Sequence, residues 1–493
     1  MKYTICELTI GLCVFFAAAL ASGAELFVGS ACCDLTPDRP VMLHGQMTTR
    51  IADQARTPIT ANIIAFESRE DSKSKENFIL VALDVCLVTR DFMNVLEAAL
   101  ADALPEINPK TNLVVAATHT HTSFVMTEGY YRTTRNDIMT PAETIDFAVA
   151  RITQSIVEAW QSRERVRFSY GLGYATVGWN RRAVYRDGHA VMYGPTDTPD
   201  FEKMEGMADD KVGAMFFWRV EDDSLKAMLI NVNCPAQVVE GDSVLDADFW
   251  HPTRELLHEK YGAAVTIVGL CGPAGDISPH VRFEQEAEAR MRNLRGVSEM
   301  EEIALRIVNA VDEIYPCLAS DRPEEIRFEH KYKIVQLPQQ IVSKELYDEF
   351  KANMERYKAQ ADAADDLGAS GAQMQMIFNK RVVDRYEKQQ GNDKPTYDIP
   401  VHVFRIGNSV FCTNPFELYV DFGVQIKSRS EATQTFLVQL AAPLSFAGYL
   451  PSEYATSGGG YGAIPQTNYV GAQGGAILVD ETVKMIDELF ADQ

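Results

Sequence analysis

Leu113-Val114-Val115-Ala116-Ala117, an unbroken apolar run, is followed directly by Thr118-His119-Thr120-His121-Thr122-Ser123. A short apolar run of this kind predicts a buried strand. The residues after it would then leave the sheet at the edge where α/β enzymes usually place their chemistry. In an extended segment the side chains of His119 and His121 share one face. Because imidazole is the commonest metal ligand and titrates near neutral pH, the pair predicts either a functional site or two hydrogen-bonded loop histidines.

Segments with strand-like and helix-like patterns alternate on both sides of this run. The other apolar segments predicted to be strands are Ile63–Phe66, Phe78–Leu83, Met215–Val220, Ala227–Val232, Ala264–Leu270, Val401–Ile406 and Val410–Cys412. The segments predicted to be helices are Asp91–Leu104, Pro141–Ser162, Pro252–Tyr261, Glu301–Tyr315 and a last helix from Asp480. This alternation predicts an α/β fold, a layered single catalytic domain built around a mixed β-sheet.

The segment from Ser343 to Gln390 differs in composition from the rest of the chain. It is highly charged, and an Ala/Gly/Ser-rich break at Asp366–Ala372 separates two helical stretches. We interpret it as a charged helical hairpin inserted into the domain, lying on the surface or over the site. The charged pattern favours the surface position, that is, a solvated insertion without a chemical role.

The N-terminal residues 1–24 are typical of a secretory signal peptide. A mostly apolar run from Ile10 to Leu20 precedes the small residues Ala21-Ser22-Gly23-Ala24, which suit a cleavage site. The run is too short for a stable membrane anchor, and we expect no transmembrane segment in the mature chain, residues 25–493. A secreted or periplasmic protein is therefore expected.

Charge and cysteine content exclude several classes of protein. The formal net charge of −23 argues against nucleic acid and anionic membranes as partners. Of the nine cysteines, Cys6 and Cys13 belong to the signal peptide, and the seven others are scattered through strand-like segments. Such a pattern is not a disulfide framework. Most of these thiols should be small buried hydrophobic groups.

Two polar groups occur near the strand Ala227–Val232 and the helix that follows it. Cys234 lies just after the strand, before Pro235. A thiolate is a strong zinc ligand, although a buried structural cysteine explains the residue equally well. His251 lies just before Pro252, and a residue at the start of a helix is the favoured interpretation there.

Three further segments combine polar groups with the end of a predicted strand. Gly275-Asp276-Ile277-Ser278-Pro279 lets backbone approach a ligand, with a β-turn held by an Asx bond as the alternative. Glu417 follows a strand in an apolar context, which is costly unless the carboxylate is paired or bound to a cation. A surface Glu at the start of a helix is the alternative there. Tyr449 has a similar apolar setting.

Taken together and in this order, these segments resemble the catalytic N-terminal domain of the neutral (non-lysosomal) ceramidase family. The resemblance runs from Val28 almost to the C-terminus and is most specific at Thr118–His121, at Gly275–Pro279 and around Glu417 and Tyr449. Members hydrolyse the amide bond of N-acyl sphingoid lipids at a zinc ion held by two His, a Glu and a Tyr. The resemblance implies a secreted zinc-dependent hydrolase of an N-acyl, lipid-like substrate, with a place in sphingolipid metabolism.

The resemblance also implies roles for individual residues. The implied metal ligands are His119, Cys234, Glu417 and Tyr449, and the implied catalytic residues are His121, Arg181, Asp276 and Ser278. His121 would face the reacting carbonyl, Arg181 would hold the polarised oxygen, and His121 or Tyr449 would protonate the leaving amine.

The chain departs from the family pattern at two places. Cys234 stands where the family has its second His ligand, so three outcomes stay open: Cys234 binds the metal, His251 replaces it, or the metal is lost. The usual Ig-like C-terminal domain is expected to be absent. Both differences indicate a divergent member whose substrate need not be ceramide.

Three other functions compete with a zinc amidase. One is a cysteine or serine hydrolase in which Cys234 or Ser278 is the nucleophile and His121 or His251 the base. Another is a hydrolase of an ester or of an N-acyl group on a sugar. The last is a metal-free binding protein on the same scaffold.

Overall fold

The structure, a computed structural model, describes residues 24–364, 366–441 and 446–491. All but the last residue of the expected signal peptide, residues 1–24, lies outside the described residues. Within these ranges, no helix combines the length and the apolar composition that a membrane crossing needs.

The strands and helices are numbered here in chain order. The strands are β1 Ala24–Asp34, β2 Val41–Leu43, β3 Arg50–Ala52, β4 Thr60–Glu70, β5 Lys73–Leu83, β6 Leu113–Ala117, β7 Glu164–Tyr174, β8 Trp179–Asn180, β9 Arg182–Tyr185, β10 Ala190–Met192, β11 Phe201–Met204, β12 Lys211–Arg219, β13 Leu225–Val232, β14 Thr266–Cys271, β15 Ile277–Ser278, β16 Glu325–Ile326, β17 Phe328–Pro338, β18 Thr396–Ile406, β19 Ser409–Thr413, β20 Glu417–Leu418, β21 Gln434–Val438 and β22 Tyr449–Leu450. The helices are α1 Arg90–Ala103, α2 Pro109–Asn112, α3 Pro141–Gln161, α4 Trp250–Tyr261, α5 Gln285–Arg295, α6 Glu299–Ile314, α7 Lys344–Ala363, α8 Asp366–Gln389, α9 Val420–Arg429, α10 Glu453–Gly458 and α11 Gly471–Phe490, with a 3-10 turn at Tyr315–Leu318.

A large mixed sheet forms the centre of the molecule. Its strand order is β14-β13-β12-β7-β1-β4-β5-β6, and β16 pairs with β1. The pairs at the two edges, β13 with β14 and β5 with β6, are parallel, whereas the pairs between them are antiparallel. The prediction of an α/β fold around a mixed sheet is therefore confirmed.

A second sheet, of order β17-β18-β19-β21, packs face to face on the first. Between the sheets lies a core in which Phe78 of β5 meets Phe404 of β18, with ring centroids 4.3 Å apart. Helices α1 and α3 cover the outer face of the large sheet near β4 to β6, and α4 and α6 cover it near β12 to β14. Helices α9 and α11 cover the outer face of the second sheet. The layers are thus helix, sheet, sheet, helix.

The central strands read as continuous apolar runs because both of their faces are buried. In β4, Ile63 and Ala65 face the helices, while Ile64 and Phe66 face the second sheet. The helices that cover the sheet begin at clear sequence signals. In α3, Thr140 and Glu143 form a reciprocal capping box and Pro141 occupies the first turn.

A buried ion pair fixes the end of β5 near the parallel pair β5–β6. Both terminal nitrogens of Arg254, on α4, donate to the Asp84 carboxylate at 2.8 Å. Asp84 also accepts from the hydroxyl of Thr60 at 2.7 Å. Removing one partner of such a pair typically costs about 3–5 kcal/mol, because the other charge stays buried. The ion pair therefore anchors the chain to α4 at Asp84, two residues before Cys86.

Two boundaries differ from the sequence prediction: the break expected at Asp366–Ala372 is helical, because α8 already begins at Asp366, and the last helix starts earlier than expected. The last helix begins at Gly471 rather than at Asp480. The sequence prediction placed its start too late because glycine has a low helix propensity, so the glycine-rich first turns do not look helical. The glycines are used for close packing: a Cβ at Gly475 would collide with the ring of Phe422 on α9. The predicted hairpin is present as α7 and α8, which pack on each other through Phe350, Val382 and Val383.

Candidate active site

His119 lies two residues after the end of β6 and has an unusual backbone conformation. Its φ of 70° lies in the left-handed region, which non-glycine residues seldom adopt and which costs about 1–3 kcal/mol. Two contacts hold it there: its N–H donates to the Val85 carbonyl at 3.0 Å, and its Nδ1 lies 2.6 Å from the Cys86 carbonyl. Since a carbonyl only accepts, Nδ1 carries the proton. The other ring nitrogen, Nε2, faces Glu417, 3.4 Å from Oε2.

Glu417 and Tyr449 are brought together by a small parallel pair of strands. In the pairing of β20 with β22, Glu417 lies directly opposite Tyr449, and its N–H donates to the Gly448 carbonyl at 2.9 Å. Residues paired in this way place their side chains on one face. The Tyr449 phenol therefore lies beside the Glu417 carboxylate, which itself faces His119.

Arg181 joins this group from a third part of the chain. One of its terminal nitrogens donates to the Tyr449 hydroxyl at 3.3 Å and lies 3.9 Å from Glu417 Oε2. The same nitrogen donates to the Gly275 carbonyl at 3.0 Å. The other terminal nitrogen donates to Tyr193 at 3.3 Å. The guanidinium is thus buried and oriented by contacts on both sides.

Charges within this group oppose the effect of burial on the two central side chains. Burial raises the pKa of Glu417, but His119 and Arg181 outweigh it, so the net pKa is lowered. Burial lowers the pKa of His119, but the Cys86 thiolate and Glu417 outweigh it and raise the net pKa well above its usual value. Burial raises the pKa of the Tyr449 phenol, and Glu417 raises it further.

Asp276 and Ser278 are buried next to the site but outside the cavity. The Asp276 carboxylate accepts from the Asn180 amide and from the Val420 N–H, each at 2.9 Å, and burial raises its pKa to about 6. The Ser278 hydroxyl is fully buried and accepts from Tyr193 at 3.1 Å. Neither residue lines the cavity that His119 faces. Both position the surroundings of Arg181: Asp276 binds the neighbouring Asn180, and Ser278 binds Tyr193, to which Arg181 donates.

His121 is bonded through both ring nitrogens. Nε2 lies 2.7 Å from the side-chain nitrogen of Gln237, and Nδ1 lies 3.1 Å from Glu240. Burial lowers the pKa of His121, but the Cys86 thiolate and the bond to Glu240 outweigh it and raise the net value. Gly45, with a φ of 101°, lets the chain pass so closely that a Cβ there would collide with the His121 ring. His121 is thus fixed in one orientation.

Cys86 is a site residue to which the sequence reasoning assigned no role. Its Sγ lies 4.0 Å from His119 Nδ1, and ligand atoms of Cys86, His119 and His121 lie within 4.8 Å of one another. Burial raises the pKa of this thiol, but the three histidines His121, His44 and His119 lower it well below the usual value. The available signal was strand order: Leu83 of β5 pairs with Ala117 of β6, so residues just after both strands meet at one edge.

Cys234 and His251 lie apart from this group. The Cys234 thiol is fully buried and donates to the Val177 carbonyl at 3.1 Å, and burial raises its pKa well above the usual value. His251 lies in the first turn of α4. Neither residue lines the cavity. Of the four sequence-predicted metal ligands, the structure brings together His119, Glu417 and Tyr449.

The cavity has a volume of about 430 Å³. Its walls combine the polar groups described above with a larger set of aromatic and sulfur-containing side chains. These are Met47, Tyr130, Tyr131, Met192, Tyr193, Met374, Phe378, Phe446 and Tyr461. Because Met374, Phe378 and Arg381 belong to α8, the interpretation of the hairpin as a solvated insertion is corrected: one helix of the hairpin forms a wall of the cavity.

Solved structures that share this fold include two ceramidases. One is a neutral ceramidase from Pseudomonas aeruginosa, with a TM-score of 0.65 and 16% identity, covering 95% of this chain and 75% of that chain. The other is described as a ceramidase complexed with C2, with a TM-score of 0.65 and 14% identity, covering 95% of this chain and 76% of that chain. No family model matches the chain, and no curated protein matches it. The protein therefore shares the fold of a neutral ceramidase over nearly all of its length.

Proposed function

We propose that the protein is a zinc-dependent hydrolase that cleaves the amide bond of an N-acyl substrate. The observation that carries the proposal is the 3.4 Å separation of His119 Nε2 from Glu417 Oε2 at one cavity. Two ligands at about 2.0–2.2 Å from one tetrahedral zinc ion lie roughly 3.4 Å apart. The Tyr449 phenol, beside the same carboxylate, would supply a third donor.

The chemistry of these side chains fits zinc. Imidazole, carboxylate and phenol are nitrogen and oxygen donors of the kind zinc accepts. His119 also has the second contact typical of a metal-bound histidine, since its Nδ1 donates to the Cys86 carbonyl. In place of Cys234, the Cys86 thiolate is the candidate for a further donor.

The remaining polar groups would act on the substrate itself. Zinc bound at these donors would polarise the amide carbonyl and activate water. Arg181 would donate hydrogen bonds to the oxyanion that develops on the carbonyl oxygen. The proton for the leaving amine would come from the Tyr449 phenol, or from His121 if its Nε2 exchanges the contact with Gln237 for the substrate.

The fold similarity to ceramidases supports an N-acyl substrate, and the aromatic walls of the cavity suit an apolar acyl group. The apolar N-terminal segment supports export of the protein, by secretion or into a periplasm.

Metal removal tests this function. Dialysis against a chelator is expected to abolish hydrolysis of an N-acyl 4-nitroanilide, and added zinc is expected to restore it, since Lewis-acid catalysis supplies several kcal/mol. The measurement is initial rate against zinc content. Full activity in protein depleted of metal would contradict the proposal.

A thiol hydrolase is the second candidate, and the position of Cys86 favours it. Its Sγ lines the cavity beside two histidines, which is the arrangement of a thiol nucleophile and its base. Cys234 and Ser278, the nucleophiles expected from the sequence, do not line the cavity. A Cys86→Ala variant assayed in excess zinc separates the two functions, with the exposed Cys317→Ala as its control. Activity retained by Cys86→Ala supports the zinc hydrolase, whereas complete loss of activity at unchanged zinc content supports the thiol hydrolase.

A further inference from the structure

Arg381 places a guanidinium in the wall of the cavity without an acidic partner. It lies on α8 and is stacked on Phe446, 3.8 Å from the ring centroid, and on Phe378 at 4.6 Å. One terminal nitrogen donates to the Tyr130 hydroxyl at 2.9 Å. Among the described residues, no carboxylate forms an ion pair with it. The other cavity-lining guanidinium, that of Arg181, has Glu417 beside it.

The acidic groups nearest to Arg381 along α8 are engaged elsewhere. Asp384 pairs with Lys380 at 2.6 Å on the exposed side of the helix, and Glu387 accepts from Tyr347 at 3.3 Å. A partly buried cation is costly when no anion accompanies it. Aromatic faces offset part of that cost, but the guanidinium has five N–H donors, and Tyr130 takes only one.

Helix α8 is held firmly enough to keep this group in place. Arg385, one turn after Arg381, is buried and donates to the carbonyls of Asn468 and Pro465 at 2.8 and 3.0 Å. Gln373, nearer the start of the helix, donates to the Gly129 carbonyl at 2.9 Å. Arg381 is therefore presented by a helix anchored on both sides of it.

An aromatic wall connects Arg381 to the proposed metal donors. The ring of Tyr449 lies 5.5 Å from that of Tyr461, which lies 6.2 Å from that of Phe378, on which Arg381 stacks. All four residues line one cavity. A substrate that lies along this wall would have its scissile bond at the Tyr449 end and its far end at Arg381, with apolar contacts between.

We propose that the acyl group of the substrate ends in a carboxylate that binds Arg381. A guanidinium is the side chain best suited to a carboxylate, because its fork of donors matches both oxygens. The cavity of about 430 Å³ lies in the lower part of the range for drug-sized ligands, which favours a short acyl chain. The identity of the scissile bond rests on the proposed function; the recognition of the anion rests on Arg381 and its surroundings.

Matched pairs of chromogenic amides test this specificity. The 4-nitroanilides of succinic, glutaric and adipic acid are compared with those of butyric, pentanoic and hexanoic acid, which have the same chain lengths but end in methyl. For at least one length, we expect the carboxylate member to have a kcat/KM about tenfold to a hundredfold higher, the usual worth of a hydrogen bond to a charged group. Arg381→Gln should remove this preference, Arg381→Lys should keep part of it, and Arg356→Gln, an exposed change on α7, should keep all of it.

Binding to an inactive protein separates this proposal from the proposed function. In a His119→Ala variant, the dissociation constants of the glutaric and pentanoic anilides are measured with and without Arg381→Gln. If the anionic anilide binds more tightly and this preference depends on Arg381, the proposal is upheld. Absence of cleavage of every anilide by the active protein would contradict only the proposed function. Equal binding of the two anilides, or a preference that Arg381→Gln leaves intact, would overturn the proposal.

Discussion

Replacing His119 by Ala is expected to remove the bound zinc and to lower kcat/KM by at least about a thousandfold. The variant lacks the Nε2 that faces Glu417 at 3.4 Å, and a metal ion supplies several kcal/mol of transition-state stabilisation. Zinc stoichiometry and kcat/KM are measured on the same preparation. A variant that keeps both full zinc and full activity would contradict the assignment.

Two further substitutions separate the ligand role of His119 from its backbone role. Because φ is 70° at this position, His119→Asn is a second test, since asparagine tolerates the left-handed region better than alanine. It should lose zinc and activity as His119→Ala does. His189, which is exposed and pairs with Asp187, offers a matched control. His189→Ala should keep both.

Replacing Arg181 by Gln is expected to lower kcat by about a hundredfold to a thousandfold, the usual effect of removing one oxyanion donor. The expected change is in kcat rather than in zinc content, because Arg181 is proposed to bind the oxyanion and is not among the proposed metal donors. The measurement is a full kinetic profile together with metal analysis. An unchanged kcat would remove Arg181 from the mechanism.

Arg282 provides the control for this substitution. Its guanidinium lies over the ring of Tyr193, 5.6 Å from the centroid, and it does not line the cavity. Arg282→Gln should leave kcat within about a factor of two, as expected for a change that makes no transition-state contact. A loss equal to that of Arg181→Gln would show that the effect comes from disturbing Tyr193.

The strand before His119 was predictable because its signal is local. Both faces of Leu113–Ala117 are buried, so the segment is apolar throughout and stops at Thr118. The layer structure was not predictable in the same way. Strands such as β19 and β21 pair in parallel across α9, and nothing local in either sequence specifies that partner. Alternation of strands and helices therefore indicated the fold class but not the second sheet.

The two cysteines show where sequence reasoning about the site stops. Cys234 and Cys86 both follow strand-like segments, and either could be a ligand or a buried hydrophobic group. Only the tertiary surroundings separate them: the Cys234 thiol donates to a carbonyl within the core, while the Cys86 thiol faces two histidines. Glu417 and Tyr449 were identified through a family resemblance, because their meeting depends on the long-range pairing of β20 with β22.

The hairpin carried a signal that its charge concealed. Met374, Phe378 and Arg381 recur at i, i+4 and i+7, which places them on one face of α8. Because so many of its neighbours are charged, a helix with this short stripe is predicted to be solvated. Arg385 and Gln373, which are buried and anchor the helix, are residue types normally expected at the surface. The function of such a face depends on what it covers.

Anomalous diffraction at the zinc absorption edge, from crystals of the zinc-loaded protein, shows whether His119, Glu417 and Tyr449 bind one zinc ion. We predict one strong peak in the cavity, within about 2.0–2.2 Å of His119 Nε2 and of a Glu417 carboxylate oxygen, with the Tyr449 hydroxyl beside it. A peak bound only at other residues, or no peak in crystals of a protein that cleaves the amide, would contradict this prediction.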